Sequence, residues 1–395
     1  MRRMGEHDLA AKDPLLMTEA EAYEYYAPDT AFVIDLSLVG TNEFSITPAS
    51  MGTSLNHAVV DWGDGTKEEW DAWFWGTKRT HTYATQGRYV IRIRGVDRPS
   101  YDFSSTLRPA IIRALRFADA ADCGIFDFSS CKNLTAFPEG KLARWPSDAK
   151  EIGEVYRCCT SLAATELPDW PEGVTTIRDV YGDCTAFNLT KIPEWPSTLE
   201  WLDMGGNGST GLYGNMPNLR LTTLPKWPKS LKKITAYNWN GVFRGCPNVT
   251  AEPPEWPEGL EEATSVYNCG TKVSGRIPAW PDGLTSANGT FSSCTGLTGD
   301  IPKWPDGLTS ANDTFSSCTG LTGEIPKWPD GLTSANWTYQ YCGNLTGAWT
   351  SDPAELMPTN ITSHSGCVRG ANTALRALFY SDWGGTRTKE ETTTT

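Results

Sequence analysis

The sequence predicts a mainly β protein: a small β-sandwich, then a solenoid of about ten coils, closed by a short helical cap. Three observations predict it. Residues 277–300, 301–324 and 325–348 are one 24-residue phrase written three times, and a period of that size marks a stacked array rather than an enclosing fold. Trp-Pro recurs at Trp145, Trp170, Trp195, Trp227, Trp256, Trp280, Trp304 and Trp328, so those coils carry a common mark. Residues 31–97 alternate short apolar runs with Gly-bearing turns, the pattern of strands joined tightly.

Residues 1–30 form a peripheral segment. Thr18-Glu19-Ala20-Glu21 is a capping-box pattern that opens a short helix through EAEAYEYYA. Residues 31–97 form the sandwich. HAVVDWGDGTKEEW reads as strand, tight turn, strand, with Gly65 of the Asp64-Gly65 pair supplying the positive φ that the turn needs. A second turn falls at Gln86-Gly87. The strand after it puts Tyr89, Ile91 and Ile93 on one face and Arg88, Arg92 and Arg94 on the other. VVDWGDGTKEEW followed by HTYATQGRYVIRI resembles a PKD (polycystic kidney disease-type) domain. That resemblance implies an Ig-like sandwich used as a spacer or adhesion module. This copy departs from the pattern in its aromatic tip, Trp70-Asp71-Ala72-Trp73-Phe74-Trp75, which is expected to pack against the first coil.

Residues 98–110 read as a linker and 111–370 as the solenoid. The repeat is clearest in CTGLTGEIPKWPDGLTSANWTYQYC, residues 318–342. LTGEI is a short β-capable run, and the proline after it cannot donate to a ladder, so the strand ends there. Pro-Asp-Gly turns the chain. Leu, Phe and Cys point inward and stack on their copies. The Trp column is expected to seal one side of the coils; a line of aromatics open to sugars or to another protein is the alternative. About 4.8 Å per coil gives a rod of roughly 50 Å over some ten coils. The phrase is similar to the leucine-rich repeats of the BspA-like (Treponema-type) family, and the resemblance covers about residues 111–370. It implies a curved solenoid of the kind found in bacterial surface proteins, adhesins and some phage attachment proteins. Trp-Pro in every coil goes beyond that family's general pattern. Residues 371–395 supply a helix over the last coil, through ANTALRALFYSDW, and then a solvated tail.

Composition narrows the function. The net charge is −13 and no Lys/Arg cluster exceeds short groups such as KSLKK at 229–233, so nucleic acid is excluded as a partner. No apolar run is long enough to span a membrane, and the start shows no apolar leader, so neither membrane insertion nor signal-directed export is expected. The cysteines number 11, and Cys269, Cys294, Cys318, Cys342 and Cys367 follow the repeat, which predicts a column of reduced, buried thiols rather than disulfides or zinc ligands.

No catalytic residue, cofactor or metal is expected. HExxH, GxSxG, P-loop and GxGxxG patterns are missing, and His81 belongs to a strand-edge phrase. Ser292, Ser293 and Cys294 recur in the next copy, whereas a nucleophile is normally unique. The recurring Asn288, Asn312 and Asn336 are read as backbone-bonding turn residues rather than glycan acceptors. Site candidates lie where the repeat breaks its own rule. Columns 279/303/327, 289/313/337 and 300/324/348 differ among near-identical copies, which predicts tolerant, exposed positions. The last copy gathers Trp337, Tyr339 and Tyr341, and the longer coils add Tyr213, Tyr237 and Trp239; exposed Tyr and Trp are what interfaces use. The expected function is non-enzymatic recognition of a protein or glycan ligand on a cell surface, as in a bacterial surface adhesin. The alternative is a phage virion or tail component of the same architecture, which the lack of a leader favours. The oligomeric state is not readable.

Overall fold

The structure, a computed structural model, describes residues 12–49, 58–70, 77–94, 100–118, 127–205, 210–236, 241–268, 272–356 and 358–386. The chain divides into two compact units, Met1–Thr198 and Leu199–Thr395, each treated by itself below.

In the first unit the capping box forms as the sequence requires. Helix α1 (Glu19–Tyr25) starts at Thr18, whose hydroxyl accepts from the Glu21 amide at 3.3 Å while the Glu21 carboxylate accepts from the Thr18 amide at 2.8 Å. The segment is docked rather than frayed. Arg144 pairs with Glu19 at 2.7 Å, and the guanidiniums of Arg116 and Arg144 each stand 4.8 Å from the Tyr23 ring centre.

Eight strands follow: β1 (Thr30–Asp35), β2 (Glu43–Ala49), β3 (Ala58–Asp61), β4 (Lys67–Trp70), β5 (Arg79–Thr82), β6 (Arg88–Arg94), β7 (Ser100–Phe103) and β8 (Ile111–Arg116). They make two antiparallel sheets, ordered β4-β3-β6-β1-β8 and β5-β2-β7. The Asp64-Gly65 turn joins the β3–β4 hairpin, with Gly65 at φ 93°. The Gln86-Gly87 turn instead carries the chain from one sheet to the other. Phe32 of β1 meets Phe44 of β2 at 6.4 Å and Phe103 of β7 at 5.5 Å between ring centres, so one aromatic core joins both sheets. The arginine face of β6 closes on Asp29, which takes Arg92 at 2.7 Å and Arg94 at 2.6 Å.

Two expectations change here. Residues 98–110 are more than a linker, because Ser100–Phe103 is a strand of the smaller sheet. Ile111–Arg116, expected as the start of the solenoid, is the edge strand of the larger sheet, paired antiparallel with β1. It also meets the next turn of chain as a coil would: the Thr135 amide donates to the Ile112 carbonyl at 2.9 Å. One strand serves both architectures.

The solenoid coils stack in parallel. Six residues after each Trp-Pro tryptophan lies a strand start or bridge: Glu151 and Thr176 in the first unit, then Trp201, Lys233, Glu262, Ser286, Ser310 and Ser334 in the second. This ladder runs through Gly-Leu-Thr-Ser-Ala, whereas the sequence pointed to Leu-Thr-Gly-Glu-Ile. That second run does pair, but only in two-residue steps such as Ser274–Gly275 with Gly296–Leu297. Pro281, Pro305 and Pro329 accept from Leu284, Leu308 and Leu332 at 3.1 Å, so Pro-Asp-Gly-Leu is the predicted turn. Each coil then buries one set of side chains, for example Leu308, Ala311, Phe315, Cys318, Leu321 and Ile325, all fully enclosed. Burying one Leu or Phe contributes about 1.5–3 kcal/mol. A set of this size holds each coil to its neighbours.

Helix α2 (Pro353–Leu356) precedes the last coil, which is marked by the Ser334–Ser363 bridge and is covered by Trp383, beyond helix α3 (Thr373–Leu378). Trp383 stacks on His364 at 4.4 Å and tilts against Trp328 at 6.4 Å. Asn372 caps α3 by accepting from the Leu375 amide at 2.9 Å.

Candidate functional site

Most polar groups of a coil are committed to the coil beside it, and the site is defined by what remains. The tryptophan column is buried and stacked. In the second unit Trp256, Trp280, Trp304 and Trp328 follow one another at 6.0, 5.7 and 6.0 Å, with planes within 12°. These rings are largely buried and seal one side of the coils. A second buried column runs beside them through Tyr267, Phe291, Phe315 and Tyr339, at 5.4, 6.0 and 5.9 Å.

Behind the second column stand the thiols. Cys294, Cys318 and Cys342 donate to the carbonyls of Tyr267, Phe291 and Phe315 at 3.2, 3.0 and 3.0 Å. Burial drives the Cys318 thiol well above its ordinary pKa and that of Cys342 up to about 12, which leaves them un-ionised and chemically quiet. The described cysteines are free thiols. Asparagines form a further column. Asn288 and Asn312 each accept from the backbone amide of the next asparagine at 2.8 Å, and Asn336 accepts from Ser365 at 2.7 Å. Their role is to hold coils in register.

One face differs. From the residue after the ladder strand onward, every second amide donates to the following coil: Ala287 to Ser310, Gly289 to Asn312, Phe291 to Thr314 and Ser293 to Ser316. Two positions in this run have left-handed backbone. The first holds Ser265, Gly289, Asp313, Trp337 and Gly366, at φ 53–62°. The second holds Ser293, Ser317, Tyr341 and Gly370, at φ 58–70°. Small residues and aspartate suit such a column; Trp and Tyr do not, and the conformation costs roughly 1–2 kcal/mol for an L side chain. Trp337 and Tyr341 are nevertheless there, 39% and 48% exposed. Each also lies over a glycine of the last coil: a Cβ at Gly366 would stand 2.7 Å from Trp337 Cδ1, and one at Gly370 would collide with the Tyr341 ring.

Beside Trp337 the same face is hollowed into a shallow cleft of about 330 Å³, lined by Ala236, Thr264, Ser265, Asn288, Asn312, Asp313, Asn336 and Trp337. Asp313 is its one charged lining residue. Its Oδ2 is enclosed and has no hydrogen-bond partner, and desolvation pushes the carboxyl up to about 6. The repeat itself makes the space: the equivalent residue on one side of Asp313 is Gly289 and on the other Trp337.

The six aromatics singled out from the sequence therefore separate. Trp337 and Tyr341 are exposed on one face of one coil. Tyr339 and Tyr213 are fully buried, a correction to their expected exposure. Tyr339 belongs to the inner column, where its hydroxyl accepts from Trp304 Nε1 at 3.1 Å, and Tyr213 stacks on Phe243 at 5.6 Å. The cause is period: Tyr339 and Tyr213 stand where Phe stands in other coils. Tyr237 and Trp239 lie outside the described residues, as do residues 71–75 of the aromatic tip; Trp70 is buried. Of the variable columns, 279/303/327 is exposed, but 300/324/348 ends in buried Ala348. Asp313 was not among the singled-out residues, although its column was, because nothing in one sequence marks a turn aspartate as uncompensated.

In the first unit Asp64 is engaged within the hairpin. Desolvation raises its pKa, but the Thr66 hydroxyl at 2.6 Å and the His81 ring at 2.8 Å outweigh this and hold it at about 2. His81 in turn stacks on Trp62 at 4.9 Å. Among the described residues no group of three or more His, Cys, Asp or Glu side chains is placed to hold a metal ion, and no helix is long and apolar enough to cross a membrane.

No protein-family model matches this chain, and no curated protein matches it. Solved structures that align with it include a leucine-rich repeat protein from Eubacterium ventriosum, at 14% identity over 71% of this chain and 89% of that one, with a TM-score of 0.29. YopM from Yersinia enterocolitica aligns at 17% identity over 65% of each chain, with a TM-score of 0.17. Overlaps this loose carry no weight, and the class rests on the chain's own geometry: a parallel β-solenoid built of leucine-bearing coils.

Proposed function

We propose that this protein is a non-enzymatic recognition protein of the leucine-rich-repeat class, BspA-like in its coils, with the N-terminal sheets serving as a PKD-like spacer. It binds a protein or glycan partner through the face that carries Trp337 and Tyr341, in the manner of a bacterial surface adhesin. One observation carries the reading. Two large aromatics are kept exposed in left-handed positions that other coils fill with smaller residues, among them Gly, Ser, Asp, Asn, Glu and Cys. Backbone strain of this kind persists where the surroundings over-determine it, and it concentrates at binding sites. The two-sheet core around Phe32 and the β3–β4 hairpin support the spacer reading.

The test is a screen of the full chain against arrayed glycans and immobilised cell-surface proteins, repeated with Trp337→Ala and Tyr341→Ala. A ligand whose affinity drops at least about tenfold with either variant supports the site. Binding unchanged by both overturns it. A hydrolytic activity abolished by one polar substitution would overturn the non-enzymatic reading itself.

A further inference from the structure

We propose that the cleft lined by Asp313 and Trp337 is a receptor for a cationic side chain, arginine or lysine, so that the partner met on this face is a protein with an exposed basic residue. The inference rests on the recognition reading above and narrows it from protein or glycan to one chemistry.

The argument is one of complementarity. Among the described residues eight line the cleft, and of these Asp313 alone carries charge. Among the described residues no cation pairs with it: its Oδ2 is enclosed without a hydrogen-bond donor, so an entering cation meets the carboxylate through Oδ1. A carboxylate half removed from water without a counter-charge is unfavourable, and that cost is relieved when a cation enters. Trp337, in the next coil and in register with Asp313, lines the same cleft and is 39% exposed. A cation over an indole face gains a further attraction, and guanidinium uses both features at once, lying flat on the ring while its N–H groups reach the carboxylate.

A neutral sugar fits less well. It would stack on Trp337 and donate a hydroxyl to Asp313, but it brings no counter-charge to the carboxylate. Each of the asparagine amides that would serve its hydroxyls already makes at least one bond, to Ser286, Ser310, Ser334 or Ser363. The cleft volume, about 330 Å³, accepts a side-chain head rather than an extended chain. The net charge of −13 draws basic partners toward the molecule from a distance.

The experiment titrates the full chain with N-acetyl-arginine amide, N-acetyl-norleucine amide and methyl β-glucopyranoside, following the Asp313 carboxyl carbon by NMR, assigned by its loss in Asp313→Asn. The arginine probe is expected to shift that signal saturably, and the other two are not. Trp337→Ala weakens the arginine probe by about twofold to fivefold. Lowering the pH from 7 to 5 weakens it about tenfold, because the proton and the cation compete for one carboxylate. Asp306→Asn, which removes an exposed carboxylate paired with Lys303, leaves the titration unchanged. A shift with the glucoside instead of arginine, no shift with any probe, or equal loss in Asp306→Asn overturns the proposal. The readout needs no natural partner. A ligand lost with Trp337→Ala or Tyr341→Ala while the arginine probe fails would leave the recognition reading standing and remove only the cationic assignment.

Discussion

The two-sheet region, residues 30–116, and the coils from Trp256 onward hold themselves together in opposite ways. In the sheets each contact is made once, and it joins residues far apart in sequence: Phe32 to Phe103, Asp29 to Arg92 and Arg94, β1 to β8. In the coils each contact recurs from coil to coil and joins neighbouring coils, as Phe291 meets Phe315 and Cys318 and Cys342 each donate to a phenylalanine carbonyl 27 positions back. The sheets neutralise polar groups with charge; the coils use thiols, hydroxyls and amides. The lesson is that one region stands or falls as a unit, while the other is a sum of neighbouring interfaces.

That contrast can be broken first at the cores. Phe32→Ala removes a ring that touches Phe44, Phe103 and Phe128 and should cost about 3–5 kcal/mol, lowering the denaturant midpoint of the whole two-sheet region. Phe315→Ala opens a hole between Phe291 and Tyr339 and should cost about 3 kcal/mol, but locally: hydrogen exchange rises in the flanking coils and not in the sheets. Equal loss of protection in both regions would refute the distinction.

Smaller changes sharpen it. Gly370→Ala places a methyl group against the Tyr341 ring at φ 70° and should cost about 1–2 kcal/mol, read as a lower melting temperature together with displaced Tyr341. Asp313→Asn should do the reverse. The folded carboxyl, at about 6, lies above its unfolded value, so the folded state holds the proton more tightly and loses stability as pH rises between those values. Removing the charge therefore stabilises the protein at pH 7, by about 1 kcal/mol after allowance for solvent screening, and the gain disappears near pH 4. A gain that persists at pH 4 would show that the side chain's shape, not its charge, is responsible.

Much of this was legible in the residues. The repeat announced the coils, and its Leu, Phe, Cys and Trp fell into buried columns because a side chain repeated at one position meets its own copy. Thr18 and Glu21 announced the capping box, and Asp64-Gly65 the hairpin. Other features were hidden for physical reasons. Ser286-Ala287-Asn288 has no strand propensity, yet it carries the main ladder, because stacked coils bond through backbone whatever the side chain. The pairing of β8 with β1 spans some eighty residues and leaves no local signal. The left-handed columns were half visible in Gly289 and Gly366; Asp313 and Trp337, which share that conformation, gave no hint of it. Tyr339 reads as surface within NWTYQYC, yet it points inward between the exposed Trp337 and Tyr341, because no local signal separates the inner from the outer aromatics of that run.

Adjacent coils that bond only through equivalent positions have a consequence for how such a chain can change. Residues 277–300 and 301–324 differ at few positions. Excision of one copy would bring each amide opposite the same kind of carbonyl, and each thiol behind the same kind of ring. Length is thus a quantity that unequal exchange between repeated gene segments can alter by whole coils, leaving the fold intact. Loss of residues 301–324 would, however, set Trp337 beside Gly289 and erase the carboxylate between them. Reach and recognition are inherited on the same short stretch, and one recombination event alters both.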